Sequence, residues 1–292
     1  MPPRLCASAV KSLFLFVLLL VPASADDIGR GKELFALAGG CGCHNMADGT
    51  IGSGGREIKT PFGTFYGTNI TPDRETGIGD WSDDEIIAAI RDGYARGKGV
   101  EAPVMPYYQY AGMSDADVRA LVAYLRTLPP VRRENREADV SLPFPRLAYR
   151  GWRRLFAPRV TAPAETPTDP LERGRYLTDH VSICGDCHTP RNRLGAPRAD
   201  FYLAGTEDGP DGNVVPNVTP DAETGLAKWR EGSFVEVLQT GMLPNADNVQ
   251  GMMAEVVDGY GGPGYSDASE SELRSIAKYM KSVPPVRHDV GD

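Results

Sequence analysis

The chain is 292 residues long, with 41% hydrophobic and 24% charged side chains, five cysteines, four histidines and a formal net charge of −8. That length predicts about two domains. The acidic balance argues against nucleic acid as a partner and fits docking onto a basic surface.

Residues 1–25 read as a secretory leader: Arg4 and Lys11 give a basic start, residues 13–21 an apolar stretch, and Ala23-Ser24-Ala25 a small-residue cleavage site before Asp26. The apolar stretch is far shorter than the roughly 20 residues of a membrane span. Cleavage after Ala25 is therefore expected, giving a mature chain in the periplasm with no membrane span and with peripheral membrane association left open. Cleavage also removes Cys6. The four remaining cysteines all lie in two short runs, so no disulfide framework is expected.

A short helix around Arg30-Gly31 is expected to lead into the first run, Cys41-Gly42-Cys43-His44. After Asn69-Ile70-Thr71-Pro72-Asp73 and Trp81, Ser82 with Glu85 reads as a capping box that opens a helix ending at Gly93. Ser114 with Asp117 opens another, whose Val118, Leu121, Val122 and Leu125 follow i, i+3, i+4, i+7. Residues 131–170 are rich in proline and arginine and mark a linker. Within it residues 146–156 predict an amphipathic helix, with Leu147, Trp152, Leu155 and Phe156 inward and Arg150, Arg153 and Arg154 outward. Two readings stand for it: a strap packed over one domain, or a basic contact with a partner or anionic lipid.

Next comes Cys184-Gly185-Asp186-Cys187-His188. CxxCH is the pattern by which a chain holds haem through two thioethers while its histidine ligates the iron. A zinc site drawing two ligand pairs from the two runs is the competing reading. Asn217-Val218-Thr219-Pro220-Asp221 then repeats the segment at Asn69 after 148 positions, and Trp229 repeats Trp81 at the same offset. Tyr124-Leu125-Arg126-Thr127-Leu128-Pro129-Pro130-Val131 is echoed by Tyr279-Met280-Lys281-Ser282-Val283-Pro284-Pro285-Val286, 155 positions on. Ser269 with Glu272 opens the corresponding helix, in which Leu273, Ile276, Ala277 and Met280 face inward. The two halves are copies of one unit. In each, the terminal helix is expected to cross the helix before the cysteine run, where Gly31 and Gly174 allow close approach.

Aligning Arg30-Gly31 with Arg173-Gly174 makes the first run a CxxCH shortened by one residue. On a helix that spacing turns the two thiols roughly 200° apart, so both reach one porphyrin edge only from a distorted loop. Three outcomes stand: two thioethers on such a loop, one through Cys43 with Cys41 unattached, or no haem. The repeat offset also selects the second axial ligands, because Met105 and Met253 are the methionine pair that obeys it. By position alone, Trp81, Trp229, Asn69 and Asn217 fall at a haem edge or its propionates. His180 and His288 are the alternative sixth ligands of a bis-histidine haem, but with Met253 available each is read as a surface residue.

With these residues in place, the chain resembles the two-domain dihaem cytochromes c of bacterial periplasms and is similar to the cytochrome subunits serving membrane-associated alcohol and sugar-type dehydrogenases. The CGDCH run, the two Asn-Ile/Val-Thr-Pro-Asp segments, Met105-Pro106-Tyr107 and Met253-Ala254-Glu255-Val256-Val257 carry the resemblance across residues 26–292. It implies an all-α fold of two tandem class I cytochrome c domains, 26–130 and 171–292, joined by the Pro/Arg-rich linker 131–170. It also implies two haem c groups, attached through Cys41, Cys43, Cys184 and Cys187, with His44 and His188 as proximal and Met105 and Met253 as distal ligands. The expected role is electron transfer rather than catalysis, from a dehydrogenase donor to a higher-potential cytochrome or oxidase of the respiratory chain. The competing class is a dihaem peroxidase or thiosulfate-type oxidoreductase with one open or thiol-ligated haem.

Overall fold

The protein is described here by a computed structural model covering residues 24–46 and 48–291. The leader's basic start, its apolar stretch and Cys6 lie outside the described residues. Helices α1 (Ala25–Leu37), α2 (Asp83–Ile87), α3 (Tyr107–Tyr110), α4 (Asp115–Leu125) and α5 (Pro145–Phe156) are followed by α6 (Pro170–His180), α7 (Cys184–His188), α8 (Glu231–Thr240), α9 (Gly251–Asp258) and α10 (Glu270–Met280). The strands are β1 (Glu57–Thr60), β2 (Gly63–Tyr66), β3 (Tyr94–Ala95), β4 (Gly99–Val100) and β5 (Asp139–Val140).

Helix α1 starts on a capping box formed by Ser24 and Asp27, so the expected cleavage point falls at its first residue. Its apolar positions Leu34, Phe35 and Leu37 are fully buried, and it crosses α4. The crossing is closest at Gly31, where a Cβ would lie 1.9 Å from the Ala120 carbonyl oxygen. The second half repeats this: α6 crosses α10, and a Cβ at Gly174 would lie 1.9 Å from the Ser275 carbonyl oxygen. Both glycines therefore do what their positions in the sequence predict. Helix α2 has the expected Ser82–Glu85 capping box, and the chain leaves the following wider turn through left-handed Gly93, φ 61°.

Helix α10 begins where expected, but Ser269 makes no side-chain cap bond. Glu272 is drawn instead into a charged cluster between the halves. Arg30 bonds Asp117 (Nε to Oδ1, 3.0 Å) and reaches Glu272 (Nη1 to Oε1, 2.8 Å), while Arg173 bonds Glu272 (Nε to Oε2, 2.8 Å) and lies 3.5 Å from Asp117. Each arginine thus bridges the acid of its own half and that of the other. Apolar side chains of both halves, among them Leu34, Val118, Leu177 and Leu273, form one continuous core around this cluster.

The all-α expectation omits two small sheets. β1 and β2 form an antiparallel pair from Glu57↔Tyr66 to Thr60↔Gly63, and β5 adds to β2 at Gly63↔Val140 and Thr64↔Asp139. β3 and β4 pair through Tyr94↔Val100. Strand β5 comes from the segment read as linker, which is therefore tied to the first half.

The repeated Asn-Thr-Pro-Asp segments have a structural job. Asn69 Nδ2 donates to Thr76 Oγ1 (3.1 Å) and the Val131 carbonyl (2.7 Å), while its Oδ1 accepts from the Thr71 amide and hydroxyl at 3.0 and 2.7 Å. Asn217 bonds Thr224, Val286 and Thr219 in the same way, at 2.7–3.0 Å. Both asparagines are buried and clamp the segment after the terminal helix, which corrects their expected place at a haem edge or propionate.

Helix α5 also departs from expectation. Trp152 and Phe156 are turned inward, but Leu147 and Leu155 are 69% and 74% exposed, and it is Arg153 that lies inward, over the Tyr94 and Tyr107 rings. The strap touches both halves, since Trp152 packs on Tyr108 and donates to the Leu194 carbonyl (2.9 Å).

Candidate haem centre

The second cysteine run forms the single-turn helix α7, entered through left-handed Ile183 (φ 44°). Cys184 and Cys187 stand three apart and share one helix face. The His188 ring is fixed from behind, with Nδ1 2.9 Å from the Pro216 carbonyl oxygen. Pro216 immediately precedes Asn217, so the Asn217 clamp sets the position of the carbonyl that orients the imidazole.

The first run, Gly39–His44, folds into tight turns in which Gly39, Gly40 and Cys41 all have positive φ, of 63°, 66° and 49°. Gly40 takes the left-handed position before the first cysteine that Ile183 holds in the second half, and Cys41 is left-handed as well, whereas Cys184 is helical. The missing residue is thus absorbed in a turn that leaves helical geometry at Gly40 and Cys41. Cys41 and Cys184 both pack against the core, and burial pushes each thiol up to about 12. Burial raises Cys187 as well. His44 Nδ1 lies 2.8 Å from the carbonyl oxygen of Thr68, the residue before Asn69. Burial holds both imidazoles below the ordinary histidine value, opposed by these carbonyl bonds.

Met105 sits in a turn just ahead of α3, whereas Met253 is the third residue of α9; both are half-buried. The offset that pairs them in sequence does not give them the same local structure. Trp81 and Trp229 are half-buried against the core. His180 and His288 are partly buried rather than on the surface. The His180 Nδ1 lies 2.8 Å from the Gln109 carbonyl, and the His288 Nδ1 3.0 Å from that of Ala204. Among the described residues no three His, Cys, Asp or Glu side chains converge to hold a metal ion, which counts against a zinc site shared by the two runs.

The sequence did not reveal that each cysteine run rests on the segment following the other half's methionine. Asp186, inside the second run, accepts from Tyr108 Oη (3.2 Å), Gln109 Nε2 (2.9 Å) and Arg191 Nη2 (2.5 Å). Gly42, inside the first run, lies under Tyr260, where a Cβ would fall 2.0 Å from the ring. Tyr110 and Tyr265, 155 positions apart, are tyrosines whose hydroxyls burial raises well above the ordinary value. The Tyr110 environment includes Cys41 and Cys43, and that of Tyr265 includes Cys184 and Cys187. The signal available in the sequence was the 155-residue offset itself.

Haem c fits these residues. With Nδ1 donating to a backbone carbonyl, each imidazole leaves Nε2 as the lone pair for iron. Ile70, Trp81 and Ile90 in one half, and Leu226, Trp229 and Leu238 in the other, are only partly covered by the core. The Arg133 Nε, buried without a protein partner, is a donor for a carboxylate.

Comparison with known proteins agrees. The cytochrome c family profile matches residues 28–129. The gluconate 2-dehydrogenase cytochrome c subunit of Pantoea cypripedii is 37% identical over 94% of this chain, and the alcohol dehydrogenase (quinone) cytochrome c subunit of Gluconobacter oxydans is 37% identical over 90%. The chain spans 65% and 56% of those two proteins. A dihaem c-type cytochrome of Cereibacter sphaeroides is 36% identical over 89% of this chain and is itself covered to 87%. With its two histidine-bearing cysteine runs and this match along nearly the full length of a dihaem relative, the chain belongs to the dihaem c-type cytochromes, and its cofactor is haem c.

Proposed function

We propose that this protein is a periplasmic electron carrier built of two tandem cytochrome c domains, 26–130 and 171–292, joined through 131–170, and that it passes electrons from a dehydrogenase to a higher-potential acceptor. The observation that carries the reading is the pair of imidazoles, each held through Nδ1 by a clamped carbonyl beside two cysteines, in halves whose cysteine runs pack against each other's methionine segments. The dehydrogenase cytochrome subunits among its relatives supply the class of donor.

Haem, when bound, supplies a one-electron couple, with a potential that methionine ligation raises. In the proposed assignment His44 and His188, through Nε2, and Met105 and Met253, through sulfur, would hold the two haem irons. Cys41, Cys43, Cys184 and Cys187 are the attachment points. Asn69 and Asn217 act as positioning residues, because each fixes the carbonyl that orients its histidine. The Arg30–Asp117–Arg173–Glu272 cluster holds the two halves in one arrangement. No bond-breaking group is required.

Carbon monoxide binding to the reduced protein tests this reading. Two closed His/Met sites resist it, and Met105→Ala and Met253→Ala each open one site and abolish the sulfur-to-iron charge-transfer band of that site alone. Rapid binding to the unaltered protein would point instead to a dihaem enzyme.

A further inference from the structure

Residues 141–164 contain five arginines and no acidic side chain, in a chain of net charge −8. Helix α5 lies in this segment and has three distinct faces. One holds it to the protein: the Trp152 ring is 5.3 Å from that of Tyr108, and its Nε1 donates to the Leu194 carbonyl at 2.9 Å. A second face is arginine. The third is apolar and uncovered, with Phe144, Leu147 and Leu155 at 80%, 69% and 74% exposure, and with exposed Ala148 and Gly151 completing the same stripe at helical spacing.

Beside the arginine face is a cavity of about 530 Å³ lined by Arg91, Arg150, Arg153, Arg154, Arg159 and Tyr107, with Asp92 its one acidic wall residue. No cysteine, histidine or methionine of the haem sites lines it. Tyr107 is 1% exposed and its hydroxyl has no partner; Arg153 Nη1 is likewise buried and unpartnered. The Arg153 guanidinium lies 4.9 Å from the centre of the Tyr94 ring and 5.7 Å from that of Tyr107. Buried donors left unpaired are costly, and a cation is costlier than a hydroxyl. An oxyanion satisfies both and neutralises the excess of arginine.

We infer that α5 docks this protein on an anionic lipid surface, with a lipid phosphate seated in the arginine cavity and the Phe144–Leu147–Leu155 stripe in the acyl boundary. The two features are contiguous, and a phospholipid joins their two chemistries in one molecule: a phosphate for the cavity and hydrocarbon for the stripe. A free oxyanion leaves the stripe exposed. The inference goes beyond the electron-transfer reading and uses none of its ligands, so failure of either leaves the other standing.

Flotation of the holoprotein with phosphatidylcholine vesicles, alone or with added phosphatidylglycerol, tests it, read by haem absorbance. Partitioning rises when phosphatidylglycerol is added. Arg150→Gln with Arg154→Gln, both exposed, lowers it roughly 30-fold, and Leu147→Ser with Leu155→Ser lowers it about tenfold or more. Tyr107→Phe, with unchanged far-UV circular dichroism, weakens binding to the anionic vesicles alone. Equal partitioning onto neutral and anionic vesicles, or variants that partition like the parent, overturns the inference. So does stabilisation by inorganic phosphate without vesicle binding, which would make the cavity a site for a free anion. Binding of an acidic protein partner in place of vesicles would also overturn it.

Discussion

Two glycines in α1, two residues apart, should respond to alanine in opposite directions. At Gly31 a Cβ falls 1.9 Å from the Ala120 carbonyl oxygen and 2.8 Å from the Tyr124 Cβ, and real Cβ atoms essentially never come closer than 3.0 Å. The nearer obstacle is backbone, so α1 and α4 must separate by at least the ~1 Å between those two distances, loosening the core around Leu34 and Leu121. Overpacking of this kind costs typically 1–3 kcal/mol, against which alanine returns roughly 0.5–1 kcal/mol of helix preference. The expected net loss is about 2 kcal/mol at the upper end, a fall in Tm of roughly 4–8 °C. At Gly29 nothing lies within 4 Å, so only the helix preference acts and Tm should rise by about 1–4 °C. Thermal unfolding of the two holoproteins by far-UV circular dichroism makes the comparison. If Gly31→Ala unfolds no lower than Gly29→Ala, the close crossing of α1 and α4 is wrong. Gly174→Ala should reproduce the loss in the second half.

Removing one clamp should unsettle one histidine. Asn217→Ala leaves the Thr219, Thr224 and Val286 groups short of partners, costing about 2–4 kcal/mol in thermal unfolding, and should broaden the low-spin EPR signal of the second haem while sparing the first. The charged cluster couples the halves, so a double-mutant cycle of Arg30→Gln and Glu272→Gln should give a coupling of about 1 kcal/mol or more; strict additivity would remove the cluster as a link between them. Burial pushes the Glu101 carboxyl up to about 7, against the pull of Lys98. The folded state therefore holds a proton that the unfolded chain releases near 4.5, and stability falls as pH rises from there through 7. Glu101→Gln should stabilise the protein by on the order of 1–2 kcal/mol at pH 8 relative to its effect at pH 5, and a pH-independent effect would contradict the burial of that carboxyl.

Those features legible in the sequence are the ones written in local chemistry or spacing. Capping at Ser82 and Ser114, the glycine crossings and the two cysteine runs all follow from neighbours a few residues apart. The repeat carried the same information twice. What it concealed is equally physical. Asn69 and Asn217 recur because they clamp backbone carbonyls, and an asparagine at a repeated position reads the same whether it faces the cofactor or a turn. Glu272 looks like the third residue of a capping box, but two arginines compete for it across a contact that periodicity cannot see. Leu147 and Leu155 share the predicted inward face with Trp152 and Phe156, but the structure turns only the two aromatic side chains in, where Trp152 meets the Tyr108 ring and the Leu194 carbonyl. The short strands lacked alternating apolar patterning and were invisible for that reason.

A relay between two covalently held haems requires the shortened run at Cys41-Gly42-Cys43-His44 to take one, and this run folds around a left-handed Cys41 whose thiol packs on the core as that of Cys184 does. The intact mass of the denatured protein, produced in a host that matures c-type haem, measures the outcome directly. A gain of two haems is the predicted result, and Cys41→Ser should then keep both by retaining the Cys43 thioether. A gain of one haem would contradict covalent attachment at the first run and with it the proposed relay between two covalently held haems.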